Sequence, residues 1–212
     1  MGNRLRLGVA IVLFWITAGT LFAHDHGQSV RYFIPNGGQW PEQVLAHIDL
    51  PELRIFIERD GFTWLAVAGE DLAYVHDHRP DAYQLRMHAW KSSFTGSSFT
   101  GQLQYGHTAA HRVHYLIGNE PSAHGTDLVP AAEMYLSDIY PGIDLRLDAH
   151  AGFKYEFIVQ PGANPELIKV AVEGVNIEKT KDGKLVYRAS VGDFSEDKPV
   201  GWTIGSQNDS VE

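Results

Sequence analysis

Apolar and polar positions alternate with a period of two along most of the chain. Ile143, Leu145 and Leu147 share one side of an extended segment while Asp144, Arg146 and Asp148 share the other, the pattern of a half-buried strand. Tyr140-Pro141-Gly142 turns the chain into this strand. After Gly152, the positions Phe153, Tyr155, Phe157 and Val159 repeat the alternation, so 143–159 predicts a hairpin at the centre of a sheet. Leu53, Ile55 and Ile57 alternate with Arg54, Phe56 and Glu58. Asp60-Gly61 then predicts a tight turn into Phe62–Ala68, with both turn residues at positive φ. Further strands are expected over Val44–Leu50, Leu72–Val75, Ala82–Trp90, Val113–Ile117, Lys169–Val172, Val175–Glu178, Lys184–Arg188 and Val200–Ile204. Ala131–Leu136 reads equally well as a helical turn or a strand, and Asn164–Ile168 as one helical turn. Residues 92–101 hold two copies of Ser-Ser-Phe-Thr-Gly and read as an exposed loop extended by duplication; 122–130 reads as a second loop.

No long segment has helical periodicity, and no strand-helix-strand rhythm is visible. The expected fold is therefore all-β: an antiparallel β-sandwich of ten or more short strands with at most one or two short helical turns. Arg4 and Arg6 precede an apolar run, Leu7–Ile16, and a small-residue stretch ending at Ala23, the layout of a signal peptide. The run is shorter than the roughly 20 residues a spanning helix needs. The predicted organisation is residues 1–23 signal peptide, 24–31 polar leader, 32–204 sandwich domain and 205–212 tail.

Removing the leader takes two of the 17 Lys+Arg and none of the 26 Asp+Glu, leaving a net charge of −11. That balance argues against nucleic acid and anionic membrane as partners. With no cysteine, an exported chain of this kind relies on core burial rather than disulfides. The expected location is extracellular, at the cell surface or in the periplasm.

Candidate chemistry is sparse. Cleavage after Ala23 would give a new terminus, His24-Asp25-His26, in which His24 and His26 supply amine, amide and imidazole nitrogens for Cu(II) or Ni(II). His76 and His78 flank Asp77 and would share one side of an extended strand, a metal pair without further ligands. His107, His111 and His114 have helical spacing, but Gly106 and the strand-like Val113–Ile117 argue for packed or solvated histidines. Asp138, Asp144, Asp148 and Glu156 gather around the central hairpin, where loop oxygens of secreted sandwiches hold Ca²⁺; Asp144 reads instead as a strand-face residue or a bond to a neighbouring turn. No nucleophile elbow occurs. Trp40, Trp64, Trp90 and Trp202 read mainly as core anchors, with stacking on sugar faces as the alternative.

Four blocks carry a family resemblance: Asn36-Gly37-Gly38-Gln39-Trp40, Tyr115–Pro121, Asp138–Leu145, and Tyr155–Pro165 with its Pro-Gly-Ala-Asn-Pro ending. Together they resemble an uncharacterised β-rich domain at the amino-terminal end of large bacterial surface proteins. Many of these come from Bacteroidetes and carry SBBP-type repeats, gliding-motility-associated C-terminal domains or type IX secretion sorting tags. The chain departs from that pattern at Ser122–Thr126, where members have a tryptophan, and in ending at Glu212, which implies a short or truncated member. The resemblance implies no catalytic residue and no cofactor. It implies a non-catalytic structural or adhesive module, with other domains, surface proteins or glycans as partners. The alternatives are a carbohydrate-binding module or, less supported, a metal-dependent hydrolase.

Overall fold

The computed structural model describes residues 9–17, 30–79, 81–204 and 210–211, with backbone alone for 9–17, 204 and 210–211. In chain order come β1 (Val9–Thr17), β2 (Ile34–Pro35), β3 (Val44–Leu50), β4 (Leu53–Glu58), β5 (Gly61–Val67), helix α1 (Gly69–His78) and β6 (Met87–Phe94). β7 (Leu103–Thr108), β8 (Val113–Tyr115), β9 (Gly125–Leu128), β10 (Ala131–Tyr140), β11 (Ile143–Asp148) and β12 (Phe153–Val159) follow. The chain continues through β13 (Val170–Glu173), β14 (Asn176–Lys179), β15 (Leu185–Ala189), β16 (Gly192–Glu196), β17 (Val200–Ile204) and β18 (Ser210–Val211). Single 3₁₀ turns occupy Pro121–Ala123 and Pro165–Leu167.

One sheet runs β13-β6-β5-β4-β3-β2; the larger runs β14-β15-β16-β1-β12-β11-β10-β7, with β17 also on β1 and β18 on β17. β8 and β9 form a separate ribbon. The expected all-β sandwich is what forms, because the apolar faces of the two large sheets have only each other to cover them. Ile143, Leu145 and Leu147 are at most 1% exposed, so the β11 alternation sends one face entirely inward. Phe153 on β12 meets Phe62 and Trp64 of the opposite sheet at ring separations of 5.3 and 5.6 Å, and Phe94 meets Phe157 at 5.3 Å. Each such ring contributes about 1.5–3 kcal/mol by leaving water. Trp64 and Trp90 stack at 5.8 Å inside this core, while Trp40 is only half-buried.

Several local expectations are corrected. Leu72–Val75 lies in helix α1, not a strand: its two half-buried apolar residues are three apart, and Glu70 and Asp71 favour a helix N-terminus, where Arg86 pairs with both. The strand expected over Ala82–Trp90 begins at Met87 and runs on through Ser92–Phe94. The first pentapeptide copy is therefore partly core. Ser92 is buried, accepting a 2.9 Å bond from Trp64 Nε1, and Phe94 is buried too; the chain turns away at Gly96, where φ is +75°. The 122–130 loop contains β9, and the ambiguous Ala131–Leu136 is strand. At the Asp60-Gly61 turn only Gly61 has positive φ, +153°. Glycine is required there because a Cβ would sit 2.0 Å from the Ser92 carbonyl oxygen.

Val9–Thr17, inside residues 1–23 that read as a leader, lies in the middle of the large sheet, antiparallel to both β12 and β17. Among the described residues no helix is long and apolar enough to cross a membrane.

Candidate functional site

The Asn-Gly-Gly-Gln-Trp block builds one wall of a recess. Asn36 is its hub: its Nδ2 donates to the carbonyls of Trp40, Pro41 and Val44, and its Oδ1 accepts from the Gly38 and Trp40 amides. Gly37 packs closely on Leu128, whose Cδ2 would stand 2.6 Å from a Cβ there and would have to shift, and Gly38 takes a φ of +114°. The turn so fixed sets Trp40 Nε1 on His47 Nδ1 at 3.1 Å, and His47 Nε2 lies 2.8 Å from the Tyr115 hydroxyl. With Nδ1 accepting, the neutral imidazole carries its proton on Nε2 and donates to Tyr115. Burial pushes the His47 imidazole down to about 4; Asp49 opposes this and Arg54 adds to it. Arg54, paired with Asp49, sits 5.6 Å over the Trp40 ring. Beside this assembly opens a recess of about 410 Å³ lined by Asn36, Trp40, Glu42, Arg59, Leu103 and Tyr105 among others.

A second constellation lies on the polar side of the large sheet. Arg146 on β11 reaches Glu133 Oε1, Asp148 Oδ2 and Glu156 Oε2, and Lys154 Nζ lies 2.8 Å from Glu156 Oε1. Glu133 Oε2 faces His107 Nδ1 at 2.9 Å and accepts from the Tyr135 hydroxyl at 3.0 Å. Asp148 Oδ1 accepts from the His150 backbone amide at 2.8 Å and faces His150 Nδ1 at 3.0 Å. Burial pushes the Glu133 carboxyl up, but hydrogen bonds from Arg146 and Tyr135 outweigh it and hold the group below its usual range. Strand pairing explains the convergence: Glu133 stands opposite Asp148 across β10–β11 and opposite Gly106, next to His107, across β10–β7.

The other singled-out residues go separate ways. His24 and His26 lie outside the described residues. His76 and His78 stand two apart on helix α1 and not on one side of a strand, so they diverge; His78 stacks on Tyr74 at 4.5 Å. His111 packs edge-on against Tyr32 and His114 accepts from the Asp127 amide, so the 107/111/114 set shares no face, as Gly106 and Val113–Ile117 indicated. Of the four central carboxylates, Asp144 braces the β10 bulge through the Asp138 amide and also accepts from Gln160, while Asp148 and Glu156 are held by Arg146. Phe99 packs partly buried beneath the Arg59 guanidinium at 6.0 Å, and Trp202 is half-buried on β17. Glu133 and His150 carry no local signal, and the helical spacing of His107 with His111 and His114 points away from its actual neighbours, Glu133 and His150. Tyr105 lies on β7, which no apolar rhythm announces, and Arg59 lies in the β4–β5 turn, where nothing local marks it as facing β7.

No curated protein and no solved structure matches the chain. A family described as a domain of unknown function matches residues 33–212, from the Phe33 that opens the sandwich core through the Asn36 turn, the recess and the polar cluster. The chain belongs to that family, DUF7948.

Proposed function

We propose that the chain is a non-catalytic adhesive module of an exported bacterial surface protein, binding its ligand in the recess beside Trp40. The observation that carries this reading is the chemistry of the recess walls. Trp40 and Tyr105 offer ring surface, Glu42 and Arg59 offer exposed charges of opposite sign, and the hydrogen-bonded Asn36 hub holds the wall rigid. A rigid concave surface with a few polar groups is the general form of a ligand site. The placement in a large surface protein of the SBBP-repeat or type IX secretion kind rests on the sequence resemblance.

Ring faces beside hydrogen-bonding groups also favour a second reading, a carbohydrate-binding module, in which a sugar's apolar face lies on an aromatic ring. The test is to screen the full chain against a glycan array and against immobilised surface proteins. Glu42→Ala and Arg59→Ala change exposed side chains outside the core. Both are expected to abolish the strongest signal while near-UV circular dichroism stays unchanged. Binding indifferent to both substitutions, or no signal on either surface, would overturn the proposal.

A further inference from the structure

The polar cluster of β7, β10 and β11 has a division of labour that salt bridging alone does not require. Each of two carboxylates gives one oxygen to Arg146 and the other to an imidazole: Glu133 uses Oε1 and Oε2, Asp148 uses Oδ2 and Oδ1. Ligating atoms of Glu133, Asp148 and His150 lie within 4.8 Å of one another. His107 Nδ1 reaches the same Glu133 oxygen at 2.9 Å, and the two imidazoles stand edge to face with ring centres 5.3 Å apart. Exposure is graded across the group. Side chains of Glu133 and Asp148 are 7% and 19% exposed, those of His150 and His107 42% and 68%. Two oxygens thus form a shielded floor and two imidazoles a rim open to solvent.

We propose that His107, Glu133, Asp148 and His150 form a binding site for one divalent transition-metal ion, with zinc the best match. Two imidazole nitrogens and two carboxylate oxygens make a complete tetrahedral set for Zn²⁺, with bonds of about 2.0–2.2 Å. Ca²⁺ and Mg²⁺ prefer six or more oxygens, which the cluster does not offer. Binding replaces the two imidazole–carboxylate hydrogen bonds with four metal bonds; any proton on a ring nitrogen that becomes a ligand leaves to solvent. Arg146 keeps hold of Glu133 Oε1 and Asp148 Oδ2, the outer-shell role that orients ligating carboxylates. With neutral histidines, Glu133, Asp148 and Glu156 against Arg146 and Lys154 leave one negative charge, so the site attracts a cation. The ligands sit on paired strands and the turn after β11, which fixes their spacing before metal arrives.

The experiment strips the full chain with a chelator, then titrates Zn²⁺ by calorimetry and Co²⁺ by visible absorption. One equivalent is expected to bind with a Co²⁺ d–d band. His107→Ala and His150→Gln should each weaken binding at least about tenfold, the scale seen for losses around metal ligands. His150→Gln changes an exposed turn residue and tests the site even if His107→Ala does not fold. A His24→Ala/His26→Ala variant should bind as the wild type does. Loss of binding in that variant would assign the metal to the chain's N-terminal segment and overturn the proposal. So would zinc affinity unchanged in both site variants, absence of binding, or tighter binding of Ca²⁺ than of Zn²⁺.

Discussion

His47 ties the folded state to pH. Its side chain is fully buried, its Nδ1 accepts from Trp40 and its Nε2 donates to Tyr115. Burial disfavours the charged imidazolium first, and a proton added to Nδ1 would also point at the Trp40 N–H, donor against donor. The fold therefore holds the imidazole neutral down to about pH 4, while the unfolded chain protonates it at its ordinary value of 6.5. Between these two values the unfolded state binds more protons, so stability rises with pH. It is full above 6.5, declines as pH falls towards 4, and is flat below. The depression of 2.5 pH units, from 6.5 to about 4, sets a ceiling of about 3 kcal/mol, and the drop from about pH 7.5 to about pH 5 is about 2 kcal/mol. The perturbation is His47→Gln, whose amide can accept from Trp40 and donate to Tyr115 but does not titrate. Urea unfolding of both proteins at the two pH values gives four stabilities. The variant is expected to be about 1–2 kcal/mol less stable at the higher pH. Wild type should lose about 2 kcal/mol more than the variant on acidification, with the other histidines cancelling in the difference. Equal losses would refute the reasoning, as would a wild type that gained stability in acid.

Three further predictions rest on single side chains. Glu196 is buried between the Tyr155 and Tyr187 hydroxyls, and burial holds its carboxyl above the usual range despite both bonds, so Glu196→Gln should be at least as stable as wild type near neutral pH. Because its folded value is raised, the cost of ionising Glu196 should be relieved as pH falls through that value, opposite in sign to His47; Glu196→Ala should lose about 2–3 kcal/mol in urea melts by removing the acceptor of the buried Tyr187 hydroxyl. Gly61→Ala should cost about 1–3 kcal/mol by thermal unfolding, since the methyl meets the Ser92 carbonyl and β5 must move off β6. Asn36→Ala should cost about 2–3 kcal/mol and abolish binding at the Trp40 recess, measurable as a lower urea midpoint with loss of the array signal.

How much of this was readable in the residues depended on distance along the chain. The β11–β12 hairpin follows directly from strict alternation over 143–159, and the Asn36 turn from its own composition. Helix α1 was misread because Leu72 and Val75 are too few to establish a period, and its anchor, Arg86, lies beyond the helix. β7 was missed because Gly106 and the polar Gln104 and His107 break any apolar rhythm; pairing with β10 overrides that weak preference. The polar cluster needed both pairings of β10 at once. Residues 107, 133 and 148 meet only because β10 lies between β7 and β11, and no local spacing encodes that. Buried His47 looked like an ordinary strand residue, since its partners arrive from the Trp40 turn and, in Tyr115, from the β8–β9 ribbon.

The place of Val9–Thr17 turns a question of architecture into one of timing. β1 runs antiparallel to β12 and to β17, so those two strands run parallel to each other. Were this segment cut away as an export leader, β17 could not restore an antiparallel ladder on β12 without reversing its course. β12 would then present its free hydrogen-bonding edge to any extended strand that reached it. A chain that folded before such a cut would hold this segment between β12 and β17. If the chain is exported, export would have to outrun folding, and removal of the segment would then create a second folding problem with one strand fewer than the first.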